Sequence, residues 1–453
     1  MKKYLIIKQY IEQQFNDGHL KQGQKLPSIR DMSENFNCSK ATVIKAYQEL
    51  ENKHIIYSVP QSGYYAVSEE TMDEEMADKS VMDFSSAAPS SETLPYKDFQ
   101  HCLNMAIDLY EDTLFSYSPQ KGLQALVKTL HKQFCDYHIF TREKNIFITT
   151  GTQQAINILF NMKFPNGKRN VLLEQPTYHG ALQALKLSNA KAIGIERSFK
   201  SIDLNKLEYI FKNEDIKCFY TIPRYSNPLG LSYTMEEKRD IIRLADKYNV
   251  YIIEDDYLAD LEVDSKNDSM LSLDPERKVI YLKSFSKILL PGLRIGAAII
   301  PDELVSSFSN YKKWSDLSTP VLSQGALHIY IKNGLFNLHK KKLTDIYSRR
   351  MTLVKKMLSV RTHPQLTCAD SYSGFFIGIA SGKDISNRRI INNLSQMNIN
   401  IKDCSQCFID SSKSRGLFRV SVCRVNDEEI FKGIPIIADV ISGAAENSNS
   451  IFR

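Results

Sequence analysis

The sequence predicts an α/β chain in two parts: a small helical domain closed by a β-hairpin over residues 1–67, then a large domain built on a buried sheet. Three observations carry this. The first 67 residues show helical apolar spacing interrupted by turn signals and end in two short β-rich runs. Further on, apolar and β-branched runs such as Val250-Tyr-Ile-Ile end in polar clusters and alternate with helix-like stretches. A length of 453 residues also exceeds what one small core organises.

In the first part, Ile6-Ile-Lys-Gln-Tyr-Ile-Glu-Gln-Gln-Phe has a helical apolar period and runs into Asp17-Gly18, a stop signal. Leu26-Pro-Ser28-Ile-Arg30-Asp-Met opens a second helix with Ser28 as its cap. Ser39-Lys40-Ala-Thr42-Val-Ile-Lys45-Ala-Tyr47-Gln-Glu-Leu50 opens a third, also capped by serine, with Val43, Ala46, Tyr47 and Leu50 on one apolar face. The short turn Asn35-Phe-Asn-Cys38 joins the last two, a helix-turn-helix arrangement. Ile55-Ile-Tyr-Ser and Gly63-Tyr-Tyr-Ala-Val67 read as the strands of a wing.

Chemistry concentrates in the turns of the second part. Thr149-Thr-Gly151-Thr152-Gln153-Gln-Ala155 lies between β-like Ile146-Phe-Ile and a helix-like run. Strand, small polar turn and helix amino terminus together make an anion site from free N–H groups and the positive end of the dipole. Leu173-Glu-Gln-Pro176-Thr-Tyr178 supplies an aromatic that can stack on a ring, and Thr221-Ile-Pro-Arg224-Tyr-Ser-Asn227-Pro228-Leu-Gly230 a tight turn with a side-chain donor at Asn227. Glu254-Asp255-Asp256-Tyr257 falls at the carboxyl end of a buried strand, where open α/β sheets bind ligands. Finally, Tyr281-Leu-Lys-Ser284-Phe-Ser286-Lys287-Ile-Leu-Leu-Pro-Gly-Leu-Arg294-Ile-Gly296 places two hydroxyls, an amine and a guanidinium in one segment.

These groups match the needs of pyridoxal 5'-phosphate (PLP). Lys287 can form a Schiff base with its aldehyde, while Ser284, Ser286 and Arg294 hold its dianionic phosphate. Asp255 keeps the pyridine nitrogen protonated, and Tyr257 with Asn227 meets the phenolic oxygen. Lys283 competes for the aldehyde, and Lys287 is preferred because it directly follows Ser-Phe-Ser and precedes Pro-Gly-Leu-Arg.

In this order, from roughly Asp83 to the end, the segments resemble the fold-type I PLP aminotransferases. The resemblance implies a large mixed-sheet α/β domain and a smaller C-terminal α+β domain, with Gly151, Thr152 and Gln153 in the phosphate turn and Tyr178 stacked on the ring. It implies cis bonds at Gln175–Pro176 and Asn227–Pro228, and a homodimer in which Tyr117 reaches the phosphate of the other subunit. It also implies that Arg419, in Leu-Phe-Arg-Val-Ser, binds a ligand α-carboxylate, a role for which Arg415 and Arg424 compete.

Residues 1–67 resemble the GntR winged-helix family: Leu-Pro-Ser-x-Arg, then Ser39-Lys40-Ala-Thr42-Val, Ala-Tyr-x-x-Leu and the Ser-Gly-Tyr wing. Lys40 stands where arginine is usual, which keeps the charge and removes two-pronged contacts. Arg30, Ser39, Lys40, Thr42 and Lys45 are the DNA-binding candidates. Joined by an acidic linker at 68–80 to an aminotransferase-like domain at 81–453, the whole resembles the MocR (GabR-like) branch of GntR regulators. That implies a PLP-dependent regulator binding promoter DNA and sensing PLP, an amino acid or an amine; an active aminotransferase with an appended winged helix is the alternative. A vestigial pocket serving only as a dimerisation scaffold is a third reading, opposed by the presence of Lys287, Asp255, Arg294 and Arg419.

Net charge is +6, with a pI near 8.6, so a DNA site must be a local patch. The first 67 residues carry nine basic against six acidic side chains. No apolar run suggests a membrane span, the start is too short for a secretory signal, and a cytoplasmic location is expected. The eight cysteines are scattered; Cys404-Ser-Gln-Cys407 lacks a second pair to complete a zinc site and reads as two buried or incidental thiols rather than a redox pair. The nine histidines show no ligand spacing, and no metal is expected. Arg224, unusual in its turn, is a candidate to meet a second acidic group of the ligand, whereas His179-Gly180 offers no second arginine for a distant carboxylate.

Overall fold

The computed structural model describes residues 2–443 except 17–19, 21–22, 53–54, 60–61, 67–80, 117–118, 265, 361–363, 371–373, 383–385 and 415. The expected stop at Asp17-Gly18, the linker at 68–80, Tyr117 and Arg415 therefore lie outside the described residues. The chain divides into two compact units, Met1–Lys79 and Ser80–Arg453.

The first unit contains α1 (Lys3–Asn16), α2 (Ile29–Asn35) and α3 (Lys40–Asn52), followed by the hairpin of β1 (Ile56–Val59) and β2 (Gly63–Ala66). The strands are antiparallel, with Ile56 opposite Ala66 and Val59 opposite Gly63. Ser28 caps α2 in a reciprocal box: its hydroxyl accepts from the Asp31 N–H while the Asp31 carboxylate accepts from the Ser28 N–H. Removing such a cap costs about 1 kcal/mol. Ile7, Ile11, Leu26, Met32, Ile56 and the whole apolar face of α3 (Val43, Ala46, Tyr47, Leu50) close one core. The Tyr47 hydroxyl is satisfied by the Pro27 carbonyl at 2.8 Å.

The second unit begins with β3 (Met82–Asp83), α4 (Tyr96–Tyr110) and α5 (Gln124–Cys135). Alternation follows: β4 (Ile146–Thr149), α6 (Gly151–Asn161), β5 (Asn170–Gln175), α7 (His179–Lys186), β6 (Ala192–Glu196), α8 (Leu204–Asn213), β7 (Ile216–Thr221), α9 (Met235–Lys247), β8 (Tyr251–Asp255), α10 (Met270–Leu273), β9 (Val279–Ser284) and β10 (Gly296–Ile299). These strands form a seven-stranded sheet in the order β4-β10-β9-β8-β7-β5-β6. All neighbours are parallel except β10, which runs antiparallel to both β4 and β9. Strands β4, β7, β8, β9 and β10 are buried at every residue, as expected of a sheet covered on both faces.

Helices α11 (Val305–Asp316), α12 (Val321–Lys332) and α13 (Leu335–Val360) lead to a smaller antiparallel sheet. It comprises β11 (Leu366–Cys368), β12 (Phe376–Ser381), β14 (Lys402–Asp403) and β15 (Leu417–Ser421), in the order β11-β12-β15-β14. Helix α14 (Asn387–Gln396) precedes β13 (Ile399–Asn400), which pairs in parallel with β3, and α15 (Asp427–Ser442) ends the described chain. The direction of the strands positions the site: Gly151, Tyr178, Asn227, Asp255 and Lys287 all follow or end strands that run the same way, and Arg294 precedes the one that runs back. Five separate segments, the last carrying both Lys287 and Arg294, thus meet at one end of the sheet. Among the described residues no helix is long and apolar enough to cross a membrane.

Candidate functional site

At the amino terminus of α6, Gly151 has φ 70°, and a Cβ there would lie 2.6 Å from Nη2 of Arg294. Only glycine permits that approach. Arg294 is itself left-handed (φ 52°), and a Cβ on Gly296 would lie 2.9 Å from the Thr152 nitrogen. The guanidinium therefore lies against the first residue of α6, whose leading N–H groups have no helical acceptor, an arrangement that suits an anion with several oxygens. Ser284 and Ser286 border the same corner, the Ser286 N–H donating to Ser284 Oγ at 3.2 Å. Gln153 joins this helix to the next turn by donating to the Gly180 carbonyl at 2.9 Å.

Tyr178 lies close to both Asp255 and Arg294. A Cβ on Gly180 would collide with its ring at 2.4–2.5 Å, so the glycine lets the ring lie flat against its own turn. Burial raises the Tyr178 pKa; the charge of Asp255 acts in the same direction and that of Arg294 against it. The ring thus lies within the field of both groups that the sequence assigned to opposite ends of the cofactor. The bonds Gln175–Pro176 and Asn227–Pro228 are both cis.

Asp255 is buried, and its Oδ2 accepts from the Tyr220 hydroxyl at 2.6 Å. Its Oδ1 has no partner among the described residues. Burial pushes its pKa up to about 7. Lys287 is partly buried and donates to the Ala87 carbonyl at 2.9 Å; desolvation lowers its pKa, toward the neutral amine a nucleophile requires. Arg419 on β15 donates through Nη1 to Asn227 Oδ1 (3.1 Å) and through Nη2 to the Ser85 carbonyl (2.9 Å), and its guanidinium lies 5.2 Å from the Phe376 ring centroid. Its Nε is buried with no partner among the described residues.

Two of the competitors are engaged elsewhere. Lys283 is fully buried, bonded to Asp260 Oδ1 at 2.5 Å and packed on the faces of Tyr137 and Phe285, so its amine is committed to a structural pair. Arg424 is half-exposed and pairs with Asp83. Two expectations need correction. Arg224 does not face the pocket as a free cation: it is buried, paired through two nitrogens with Asp256, and donates to the Asn267 carbonyl. The Tyr257 hydroxyl proton goes to the Tyr225 carbonyl at 2.7 Å. With Asn227 Oδ1 accepting from Arg419, the Asn227 amide N–H₂ is then the donor left for a phenolic oxygen. Sequence reasoning missed Ser85 and Ala87, which act through backbone carbonyls, and Tyr220, which reaches Asp255 across the sheet.

In the first unit, Ser39 accepts from the Thr42 N–H at 3.3 Å, and the two hydroxyls share a 2.9 Å hydrogen bond at the start of α3. Arg30 pairs with Glu34 at 3.1 Å on an exposed face. Lys40 is exposed, with no ion pair among the described residues. Lys45 is exposed but lies 4.6 Å over the Tyr4 ring of α1, so part of its charge is spent on packing α3 against that helix.

Known proteins share both domains and the fold of the second unit. Residues 79–436 match the class I and II aminotransferase family, and residues 3–65 match the bacterial regulatory proteins of the gntR family. The chain belongs to the class I and II aminotransferase family and carries a gntR-type domain at residues 3–65. Their succession is the MocR (GabR-like) arrangement. It is 39% identical over 449 residues to an uncharacterized HTH-type transcriptional regulator, YcxD, of Bacillus subtilis, covering 96% of this chain and 99% of that one. A second such regulator, YdcR of Escherichia coli, is 27% identical over 83% of this chain and 86% of its own. The kynurenine aminotransferase of Pyrococcus horikoshii, solved in complex with PMP, superposes with a TM-score of 0.74 at 24% identity, covering 81% of this chain and 92% of that one. This places the second unit in fold-type I.

Proposed function

We propose that this MocR-type chain is a transcription regulator whose winged helix binds promoter DNA and whose aminotransferase-like domain holds PLP and senses an amino acid or amine. The observation that carries the reading is a pair of buried polar atoms without partners among the described residues, Asp255 Oδ1 and Arg419 Nε, in two groups whose charges both act on Lys287, a lysine whose charged form burial disfavours. Buried polar atoms without partners are costly, and a pyridinium N–H and a carboxylate are the complementary groups. The tight approach of Arg294 to Gly151 fits a phosphate in the same way.

In this reading Lys287 holds the cofactor, Gly151, Thr152, Ser284, Ser286 and Arg294 hold its phosphate, and Gln153 fixes the helix that bears the site. Tyr178 covers its ring, Asp255 keeps a proton on the ring nitrogen, and Asn227, with Tyr257 behind it, meets the phenolic oxygen. When bound, PLP supplies an aldehyde that condenses with amines and a ring that draws electrons from the attached nitrogen. Arg419 orients a ligand through its α-carboxylate, and Asn227 holds the guanidinium in the plane that two-pronged pairing needs. The domains are assigned as 1–67, 68–80 and 81–453, and the active form as a cytoplasmic homodimer with Tyr117 reaching the partner's phosphate.

A regulator and an aminotransferase share these groups, and the N-terminal domain favours the regulator. The test measures binding of the full chain to the DNA upstream of its own gene, with and without PLP and a panel of amino acids, beside turnover of that panel with 2-oxoglutarate. Sequence-selective binding that changes with PLP or an amino acid is expected. Multiple-turnover transamination without selective DNA binding would replace this reading with the enzyme.

A further inference from the structure

One motif is not absorbed by this reading: Cys404-Ser-Gln-Cys407. Its residues form a single 3₁₀ turn, Ser405–Cys407, closed by the Cys407 N–H donating to the Cys404 carbonyl at 2.9 Å. A turn closed in this way holds its end Cα atoms within about 7 Å, overlapping the roughly 4.4–6.8 Å that a disulfide requires. Both cysteines belong to one small buried cluster, and the Cys404 thiol donates to the Lys402 carbonyl at 3.8 Å. Cys404 is fully buried and Cys407 is 7% exposed. The neighbouring Cys404 thiol and the positive charge of Arg419 lower the Cys407 pKa against the effect of burial, whereas burial raises those of Cys102, Cys218, Cys368 and Cys423.

The turn is joined to the pocket on two sides. The Thr177 N–H donates to the Cys407 carbonyl at 2.9 Å, and His179 Nδ1 bonds to the Gln406 carbonyl at 3.1 Å. These contacts flank Tyr178. On the other side Leu229, inside the Asn227-Pro-Leu-Gly230 turn, packs in one cluster with both cysteines.

We propose that Cys404 and Cys407 are a redox-active dithiol that a hydroperoxide oxidises to a disulfide, and that this modification weakens the hold of the adjoining pocket on its ligands. The Cys407 thiolate attacks the peroxide, breaking the O–O bond to give a sulfenic acid and releasing an alcohol, or water when the oxidant is hydrogen peroxide. The Cys404 sulfur then attacks the Cys407 sulfur, and the hydroxyl leaves as water with the Cys404 proton. Two thiols lose two electrons and two protons in total, which reduce the peroxide. A dithiol reductant reverses the change. Contracting the turn pulls on Thr177 and His179 and so displaces Tyr178. The dithiol stands independently of the proposed function; the effect on ligands rests on it.

The experiment treats the reduced full chain with equimolar hydrogen peroxide and blocks remaining thiols. Before blocking, the intact mass is expected to fall by two hydrogens, and the peptide map after blocking joins Cys404 to Cys407. In Cys404→Ser, Cys407 is expected to be trapped as the sulfenic acid by a 1,3-diketone, while Cys407→Ser yields no adduct at Cys404. Oxidation spread over the other cysteines, with these two alkylated, overturns the dithiol, and the wild-type map decides this even if a variant does not fold. PLP titrations then compare reduced and oxidised wild type with Cys407→Ser. A several-fold loss of affinity confined to oxidised wild type is expected. An unchanged affinity in the disulfide form overturns the coupling, and failure of the reduced chain to bind PLP at all counts against the pocket reading without touching the mass result.

Discussion

Tyr220 and Asp255 stand on the adjacent parallel strands β7 and β8, and the tyrosine donates to one carboxylate oxygen at 2.6 Å while the other has no partner among the described residues. One hydrogen bond does not offset full burial, and the carboxyl pKa is pushed up to about 7. In the unfolded chain the same group titrates near 3.9.

The folded pKa is therefore the higher one, and the native state retains a proton that the unfolded state has lost. Stability from this group is complete below about pH 4 and is lost progressively up to about pH 7, by an amount on the order of 4 kcal/mol. The expected result is that Asp255→Asn flattens this part of the pH dependence of the urea midpoint for the cofactor-free chain. PLP, by giving the carboxylate a cationic N–H, is expected to flatten it in the wild type. Equal pH slopes in wild type and Asp255→Asn would refute the assignment.

Lys287→Ala is expected to abolish the visible absorbance of covalently held PLP even with excess cofactor. Lys283→Ala acts differently, because it leaves Asp260 buried without its cation, a loss of about 3–5 kcal/mol in stability. Denaturant midpoints and absorbance spectra of the two variants distinguish the roles. Retention of the band in Lys287→Ala would move the covalent site elsewhere.

The fold was legible, and the candidate residues come together at one end of the sheet, because each motif is local: a strand end, a small polar turn and a helix start carry their own sequence signals. Ser28 and Ser39 were readable as caps for the same reason. What escaped was non-local. Ser85 and Ala87 contribute main-chain oxygens, which no side chain announces, and Tyr220 reaches Asp255 by strand adjacency across 35 residues of sequence. Arg224 was misread because a turn arginine looks solvent-facing until its neighbour across the sheet, Asp256, is known. Burying both charges neutralises them locally, so the cation is not available to a ligand.

Arg419→Lys keeps the charge and loses the planar fork held by Asn227. Affinity for amino acids is expected to fall by roughly 10–100-fold, the range of one charge-assisted hydrogen bond, while amines without a carboxylate lose little. Titrations that follow the bound cofactor's spectrum measure both. Equal losses for the two ligand classes would remove Arg419 from carboxylate recognition.

The DNA-binding candidates separate by what already occupies them. Arg30 is paired with Glu34 on the surface, an interaction worth less than about 1 kcal/mol, so either phosphate contact or the pair can prevail and the variant's effect is modest. Lys45 holds Tyr4, and Lys45→Ala is expected to reduce stability as well as affinity. Lys40 is exposed at the first residue of α3, with no ion pair among the described residues. A recognition helix presents its amino-terminal residues to the groove and backbone, so Lys40 is the side chain freest to meet DNA. Lys40→Ala is expected to lower the slope of log affinity against log salt by about one unit if it contacts phosphate, or to cost about 1–3 kcal/mol and relax sequence preference if it reads a base. Anisotropy titrations at several salt concentrations, on the chain's own upstream DNA and on a scrambled duplex, measure both quantities. An unchanged slope together with an unchanged preference would take Lys40 out of the interface.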